Sequence, residues 1–190
     1  GMLMAARNIG GAMCFVVGLD PADPEMEKKV EDGKKTYAGY ELAGHTLGVI
    51  GLGMIGRLVA DMALKMGMNV LGYDPEITVE AAWSLSSKVK KANSVTEVLK
   101  HSHFVSLHVP LVEATRHMIN ADSLAQMKHG AVLLNFSREG VVDELAVLAA
   151  LEAKKLGCYV CDFPSPRVNG NPHVIALPHL GASTREAEEN

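Results

Sequence analysis

The chain has 190 residues, a formal net charge of −4 and a hydrophobic share of 48%, which fits one globular domain or one domain with an arm. The mildly acidic balance, without a basic stripe anywhere, excludes nucleic acid as a partner. Three cysteines make no disulfide framework.

The opening run MLMAARNIGGAMCFVVG, residues 2–18, reads as an amphipathic helix. It lacks the basic flank of a signal peptide, and Arg7 and Asn8 interrupt its apolar run. Its unbroken apolar stretches are too short to span a bilayer. No membrane partner is expected, and the cytoplasm is the expected location. Asp20-Pro21-Ala22-Asp23-Pro24 ends that helix, and a charged, polar stretch follows through Lys34 and Lys35 to Gly44. Residues 1–40 are therefore read as a helix and connector, belonging to the main domain or forming a dimer arm, and 41–190 as that domain.

Thr46–Ile50 has the pattern of a strand buried on both faces. It runs into Gly51-Leu52-Gly53-Met54-Ile55-Gly56, then into a helical pattern with Leu58, Val59, Met62 and Leu64, and a second strand, Asn69–Tyr73, ends at Asp74. Gly51 permits a tight turn, Gly53 lets backbone approach a pyrophosphate, and Gly56 lets helix and strand pack closely. The helix N-terminus offers N–H groups and a positive dipole end to the anion. Asp74 stands where a carboxylate accepts the ribose hydroxyls of adenosine. Pro75-Glu76 bring no cation for a 2′-phosphate, which favours NAD over NADP. The competing reading is a helix-packing glycine run, but strand–turn–helix–strand with an acid about twenty residues on is the context a dinucleotide site needs.

Residues 78–93 carry no clear pattern. Ser94 with Glu97 reads as a capping box for a short helix, Phe104–Val109 as a strand stopped by Pro110, and Ser123 with Gln126 as the cap of another short helix. Ala131–Phe136 is a strand leading to Ser137-Arg138. Asp143 caps the helix ELAVLAALEAKK, with Gly157 at its stop. Strands CYVCDF and VIALP follow, with a Pro- and Gly-rich loop between them, and Ser183 with Glu186 opens a last helix. Cys158 and Cys161 form a C-x-x-C, but strand positions three apart point to opposite faces. They are expected to be core thiols rather than a metal or redox pair.

This alternation predicts an α/β domain with a doubly wound parallel sheet of the Rossmann type. Ligands bind such sheets beyond the carboxyl ends of the strands. The residues leaving successive strands are Gly51, Asp74, Val109-Pro110, Arg138, Asp162 and His179. Arg138 offers a planar fork to a substrate carboxylate, or else pairs with Glu139 as a surface arginine. His179 is placed to take a hydroxyl proton as hydride leaves for NAD, or else bonds backbone at a helix terminus. Asp162 bonds the nicotinamide carboxamide or caps a turn. His101 and His103 lack a third ligand, so no metal site is expected.

The ordered set GLGMIGRLVA, YDP, LHVPLVEATRHMIN, NFSREGVVDE, DFPSP and PHLGAST resembles the nucleotide-binding domain of the D-isomer-specific 2-hydroxyacid dehydrogenases over essentially the whole chain. Within that family it is most similar to the branch that oxidises 3-phosphoglycerate to 3-phosphohydroxypyruvate, the first step of serine synthesis. The resemblance implies NAD contacts at Met54, Ile55, Asp74, Val109 with Pro110, Phe136, Ser137, Arg138, Asp162, and His179, Leu180, Gly181 and Ala182. It also implies that Arg138 binds and polarises the substrate, that His179 is the acid/base, and that the protein is a homodimer.

Two departures from the family stand out. A glutamate that pairs with the histidine in the family corresponds here to Arg167, and no carboxylate lies between Asp162 and Glu186. An arginine near His179 disfavours the protonated imidazole. A mostly neutral histidine is then expected, able to accept a proton in alcohol oxidation but a weak acid for ketone reduction. The family's substrate domain is also not recognisable in these residues, so an excised domain is expected, binding NAD with little turnover. The alternatives are an NAD-binding regulatory or assembly module, another 2-hydroxyacid dehydrogenase, or an enzyme with a similar domain such as a formate dehydrogenase or an adenosylhomocysteinase.

Overall fold

The computed structural model describes residues 1–188. The chain divides into two compact units, Gly1–Leu42 and Ala43–Asn190.

In the first unit the expected single helix is two, α1 (Met2–Arg7) and α2 (Ile9–Val17), separated by Asn8 at φ 49°. Asparagine tolerates this left-handed conformation better than most side chains. The returning chain crosses the end of α1, where the Tyr40 N–H donates to the Ala6 carbonyl at 2.9 Å. A Cβ on Gly39 would lie 2.1 Å from that carbonyl oxygen, so only glycine passes. The polar stretch after the prolines is not open connector. Asp20 and Asp23 accept the N–H groups of Ala22 and Glu25, and the turn leads into α3 (Met26–Gly33) and a 3₁₀ turn, Lys34–Tyr37.

The second unit is built on β1 (Thr46–Ile50), β2 (Asn69–Tyr73), β3 (Lys90–Lys91), β4 (Phe104–Leu107), β5 (Ala131–Asn135), β6 (Leu156–Cys161) and β7 (Val174–Ala176). They form one parallel sheet in the order β3-β2-β1-β4-β5-β6-β7. Its helices are α4 (Met54–Lys65), α5 (Val79–Trp83), α6 (Val95–His101), α7 (Ala121–Gln126), α8 (Glu144–Glu152) and α9 (Arg185–Glu188).

Neighbouring positions of β1 show that both faces are covered. Gly48 lies against Val98 and Ser102 at the α6 end, and Val49 lies against Gly56 of α4. Successive strand residues point to opposite faces, so α4 and α6 flank the sheet from opposite sides. The main core joins Ile50, Val105, Leu107 and Leu133 of the sheet to Val98 and Leu99 of α6, Leu124 of α7, and Val147 and Leu151 of α8. Each such side chain taken fully out of water contributes about 1.5–3 kcal/mol.

Local details correct several expectations. Asn120, not Ser123, caps α7: its Oδ1 accepts the Asp122 and Ser123 N–H groups, and Ser123 Oγ accepts the Asn120 N–H. Ser94 caps α6 as expected, but the Glu97 carboxylate accepts the Asn93 N–H. Asp143 caps α8, accepting from Leu145 and Ala146. That helix stops near left-handed Lys154. Gly157 lies inside β6, where a Cβ would meet the Gly130 carbonyl oxygen at 2.5 Å. Thr184 rather than Ser183 accepts the first-turn N–H of α9, from Ala187, and the Glu186 side chain lies outside the described residues.

Candidate active site

The glycine loop joins β1 to α4. Gly51 holds φ +91°, and a Cβ there would lie 2.4 Å from the His108 carbonyl oxygen. Gly56 packs directly on the turn: a Cβ added to it would stand 2.0 Å from the Gly51 carbonyl oxygen and 3.4 Å from the Val49 side chain. Gly53 precedes α4 with open space where a Cβ would stand. Among the described residues no side chain caps α4, so its first N–H groups remain available, and Met54 and Ile55 are exposed beside them. An open glycine, an uncapped helix start and a tight turn together form a cradle that fits a dinucleotide's pyrophosphate.

Asp74 follows β2, its carboxylate aimed by two backbone donors, Leu52 N–H at 2.8 Å and Glu76 N–H at 2.9 Å. It lines a cavity of about 580 Å³ with Leu52, Pro75 and Ile77. Lys90 and Lys91 line the same cavity. The surroundings read as free of cations from sequence are therefore not so in space, because β3 pairs alongside β2.

At the end of β4, Val109 packs against Gly51 and the core, and the Pro110 carbonyl accepts the Thr115 hydroxyl at 2.6 Å. At the end of β5 a buried residue that sequence reasoning does not single out, Asn135, shapes the turn. Its Oδ1 accepts from Ser137 N–H and Oγ–H at 3.1 and 2.8 Å, and its Nδ2 donates to the Arg138 carbonyl at 3.0 Å. Its only signal is a polar residue closing an apolar strand. Phe136 is half-buried and Ser137 buried in this turn, while Arg138 is exposed. The Arg138 guanidinium donates to the Ser137 carbonyl, and among the described residues it has no carboxylate partner, Glu139 included.

His179, three residues beyond β7, places Nδ1 2.9 Å from Oδ2 of Asp162, which directly follows β6. The imidazole is 54% exposed and the carboxylate 6%. The ring lies against Phe163, centroids 4.5 Å apart. Leu180, Gly181 and Ala182 continue as an exposed turn. The expectation that an arginine stands beside His179 in place of a carboxylate is corrected: Asp162 is the carboxylate beside the ring, and Arg167 is an exposed side chain that lines a cavity with Phe163. Arg138, Phe163 and Arg167 line one cavity of about 690 Å³, so Phe163 links the arginine wall to the histidine.

Residues 9–181 match the family profile described as D-isomer specific 2-hydroxyacid dehydrogenase, NAD binding domain. The chain belongs to that family. It is 40% identical over 194 residues to the D-3-phosphoglycerate dehydrogenase of Methanocaldococcus jannaschii, covering 99% of this chain and 34% of that protein. It is 40% identical over 196 residues to the hydroxypyruvate reductase of Thermotoga maritima, covering 98% and 58%. The apo D-mandelate dehydrogenase of Rhodotorula graminis superposes with a TM-score of 0.82 at 27% identity, over 99% of this chain and 55% of that one. The chain thus spans between a third and three fifths of these relatives. As the NAD-binding domain of a D-2-hydroxyacid dehydrogenase, its cofactor is NAD, which the loop and Asp74 fit.

Other groups of this dehydrogenase domain are held neutral. Burial pushes the His108 imidazole down to about 4, and its Nε2 sits 2.8 Å from Ser106 Oγ. Burial pushes the Cys158 and Cys161 thiols up to about 11, so they are unreactive near neutrality. His103 accepts the Thr46 N–H on Nδ1 at 3.0 Å, which commits it to the start of β1 rather than to a metal. Among the described residues no helix is long and apolar enough to cross a membrane.

His108 gives a pH prediction. Its folded value of about 4 lies below the ordinary 6.5, so between these the unfolded chain binds more protons and stability falls as pH drops from about 6.5 towards 4. Urea unfolding at pH 7 and pH 5 should show that loss, and His108→Asn should lose less than the native chain over the same interval.

Proposed function

We propose that this chain supplies the NAD site and the acid/base of an oxidoreductase acting on the CH–OH group of a D-2-hydroxy acid, with 3-phosphoglycerate to 3-phosphohydroxypyruvate the preferred reaction. The reading is carried by one rim of one sheet that holds the glycine loop and Asp74 at one end and Arg138 and His179 at the other. Bound NAD supplies the nicotinamide carbon that takes the hydride. Arg138 holds the substrate carboxylate by paired hydrogen bonds, and Nε2 of His179 receives the hydroxyl proton. The D-3-phosphoglycerate dehydrogenase relative favours a phosphorylated three-carbon substrate, and with it a cytoplasmic place in serine synthesis. A homodimer is part of the reading, supported by the exposed Ile9, Met13, Val16 and Val17 of α2.

The first test is calorimetric titration with NAD and NADP. NAD should bind more tightly than NADP, because the Asp74 carboxylate repels a 2′-phosphate, a repulsion that Lys90 and Lys91 of the same cavity offset only in part. Asp74→Ala should weaken NAD by about tenfold or more, since hydrogen bonds to a charged acceptor are worth about 1.5–3 kcal/mol. Failure to bind either nucleotide would sink the cofactor site. NADH formation from 3-phosphoglycerate then tests the substrate. A second reading, an NAD-binding regulatory or assembly module with impaired catalysis, draws on Arg167 at the family's glutamate position, and absence of turnover with NAD bound would favour it.

A further inference from the structure

We propose that Arg57 is a positioning residue for the adenosine half of the cofactor, acting through Ser84 to hold the α5 segment across the cavity that Asp74 lines. The proposal deepens the cofactor reading and rests on it. The walls of that cavity differ in firmness. One is the sheet edge, with Leu52, Gly72 and Asp74, of which Leu52 and Gly72 are buried. The other is the segment between β2 and β3, which contributes Ala82, Leu85 and Val89. Helix α5 of that segment has no buried residue, and its Val79 and Trp83 are 75% and 85% exposed. Apolar burial therefore does little to keep α5 in place.

One side chain supplies what packing does not. The Arg57 guanidinium, near the start of α4, donates through Nη1 to Ser84 Oγ at the end of α5. Ser84 Oγ donates its own proton to the Ala81 carbonyl at 2.9 Å, so the hydroxyl accepts from outside the helix and donates within it. Among the described residues this is the one hydrogen bond that joins residues 78–88 to the rest of the chain. Its donor is charged, which makes it stronger than a bond between neutral groups. The Arg57 Nε–H points back at the Gly53 carbonyl, 3.4 Å away. A single guanidinium thus touches both the residue that opens the pyrophosphate cradle and the segment that walls the adenosine cavity. An adenosine entering that cavity needs Ala82 and Leu85 already in position. The Arg57–Ser84 latch orders them beforehand, so less conformational freedom is lost when the nucleotide binds.

Trp83, the single tryptophan of the chain, is the neighbour of Ser84 and reports on this segment alone. In the unliganded chain its fluorescence anisotropy should fall in Arg57→Ala and in Ser84→Ala. The double variant should fall no further, since either change breaks the same bond. Melting temperatures should hold, because neither side chain is buried. ADP-ribose carries the adenosine and the pyrophosphate without the nicotinamide. Its calorimetric titration should show each variant weakened by about three- to tenfold, in proportion to the lost population of the ordered segment. Unchanged anisotropy in both single variants, or full ADP-ribose affinity in either, overturns the proposal. So does a loss in Arg57→Ala that Ser84→Ala does not share, which would make Arg57 a direct phosphate ligand. Failure of the native chain to bind ADP-ribose or NAD defeats the cofactor reading instead, while the anisotropy still decides the latch.

Discussion

Gly56→Ala is expected to abolish NAD binding and lower the melting temperature together. An added Cβ would stand 2.0 Å from the Gly51 carbonyl oxygen and 3.0 Å from its carbon. Both are backbone, in a turn already held at φ +91°, so the clash cannot be relieved by a rotamer change. The start of α4 must move away from the end of β1, at an overpacking cost of about 1–3 kcal/mol. The N–H groups aimed at the pyrophosphate move with it, and affinity should fall by about 100-fold or more, equivalent to about 2.7 kcal/mol. Gly53→Ala is the informative companion. Among the described residues nothing lies within 4 Å of its added Cβ, and its φ of −66° suits any L residue. Melting should therefore be unchanged while NAD binding falls, because the methyl occupies the space kept for the ligand. Thermal melts and calorimetry on the two variants separate packing from binding. Normal NAD affinity in Gly53→Ala would reduce the loop to a packing device.

The second large effect is expected at His179. His179→Gln should reduce kcat for NAD-linked oxidation of the 2-hydroxy acid substrate by about 10²–10⁴-fold, the usual contribution of a positioned general base. Its NAD affinity should change by only a few-fold, because the cradle, Asp74 and the β2 cavity lie at the other end of the rim. Steady-state kinetics with a parallel nucleotide titration read both quantities. A variant that keeps its kcat would remove His179 from the chemistry.

How much is legible in the sequence follows from which interactions are local. The glycine loop, Asp74 and the strand-end rim can be read because a parallel sheet places every strand's exit on one edge, so knowing where each strand stops is enough. The Asp143 cap is legible for the same reason, its partners being two and three residues away. The Asp162–His179 contact is not, because it depends on the register of β6 against β7. Counting along the chain instead puts Arg167 in the partner's place. Lys90 and Lys91 beside Asp74 escape likewise, since β3 is a two-residue strand whose place is set by β2 rather than by its own pattern. Asn135 escapes because a polar residue in an apolar strand says nothing of what it will hold. Helix α3 gives no signal for lack of an apolar face: none of its residues is buried.

The two halves of the histidine–aspartate contact are anchored unequally. β6 is flanked on both sides, whereas β7 is three residues long and, among the described residues, is the edge strand beside β6. The acid is thus fixed to the interior of the sheet and the base hangs on its margin, joined by the loop at residues 164–173. Substitutions in that loop can retune how firmly the base is seated while the nucleotide half of the molecule stays as it is. A family whose members are named for phosphoglycerate, hydroxypyruvate and mandelate gains from this separation, since the adjustable part of the machinery sits on the strand whose change disturbs least.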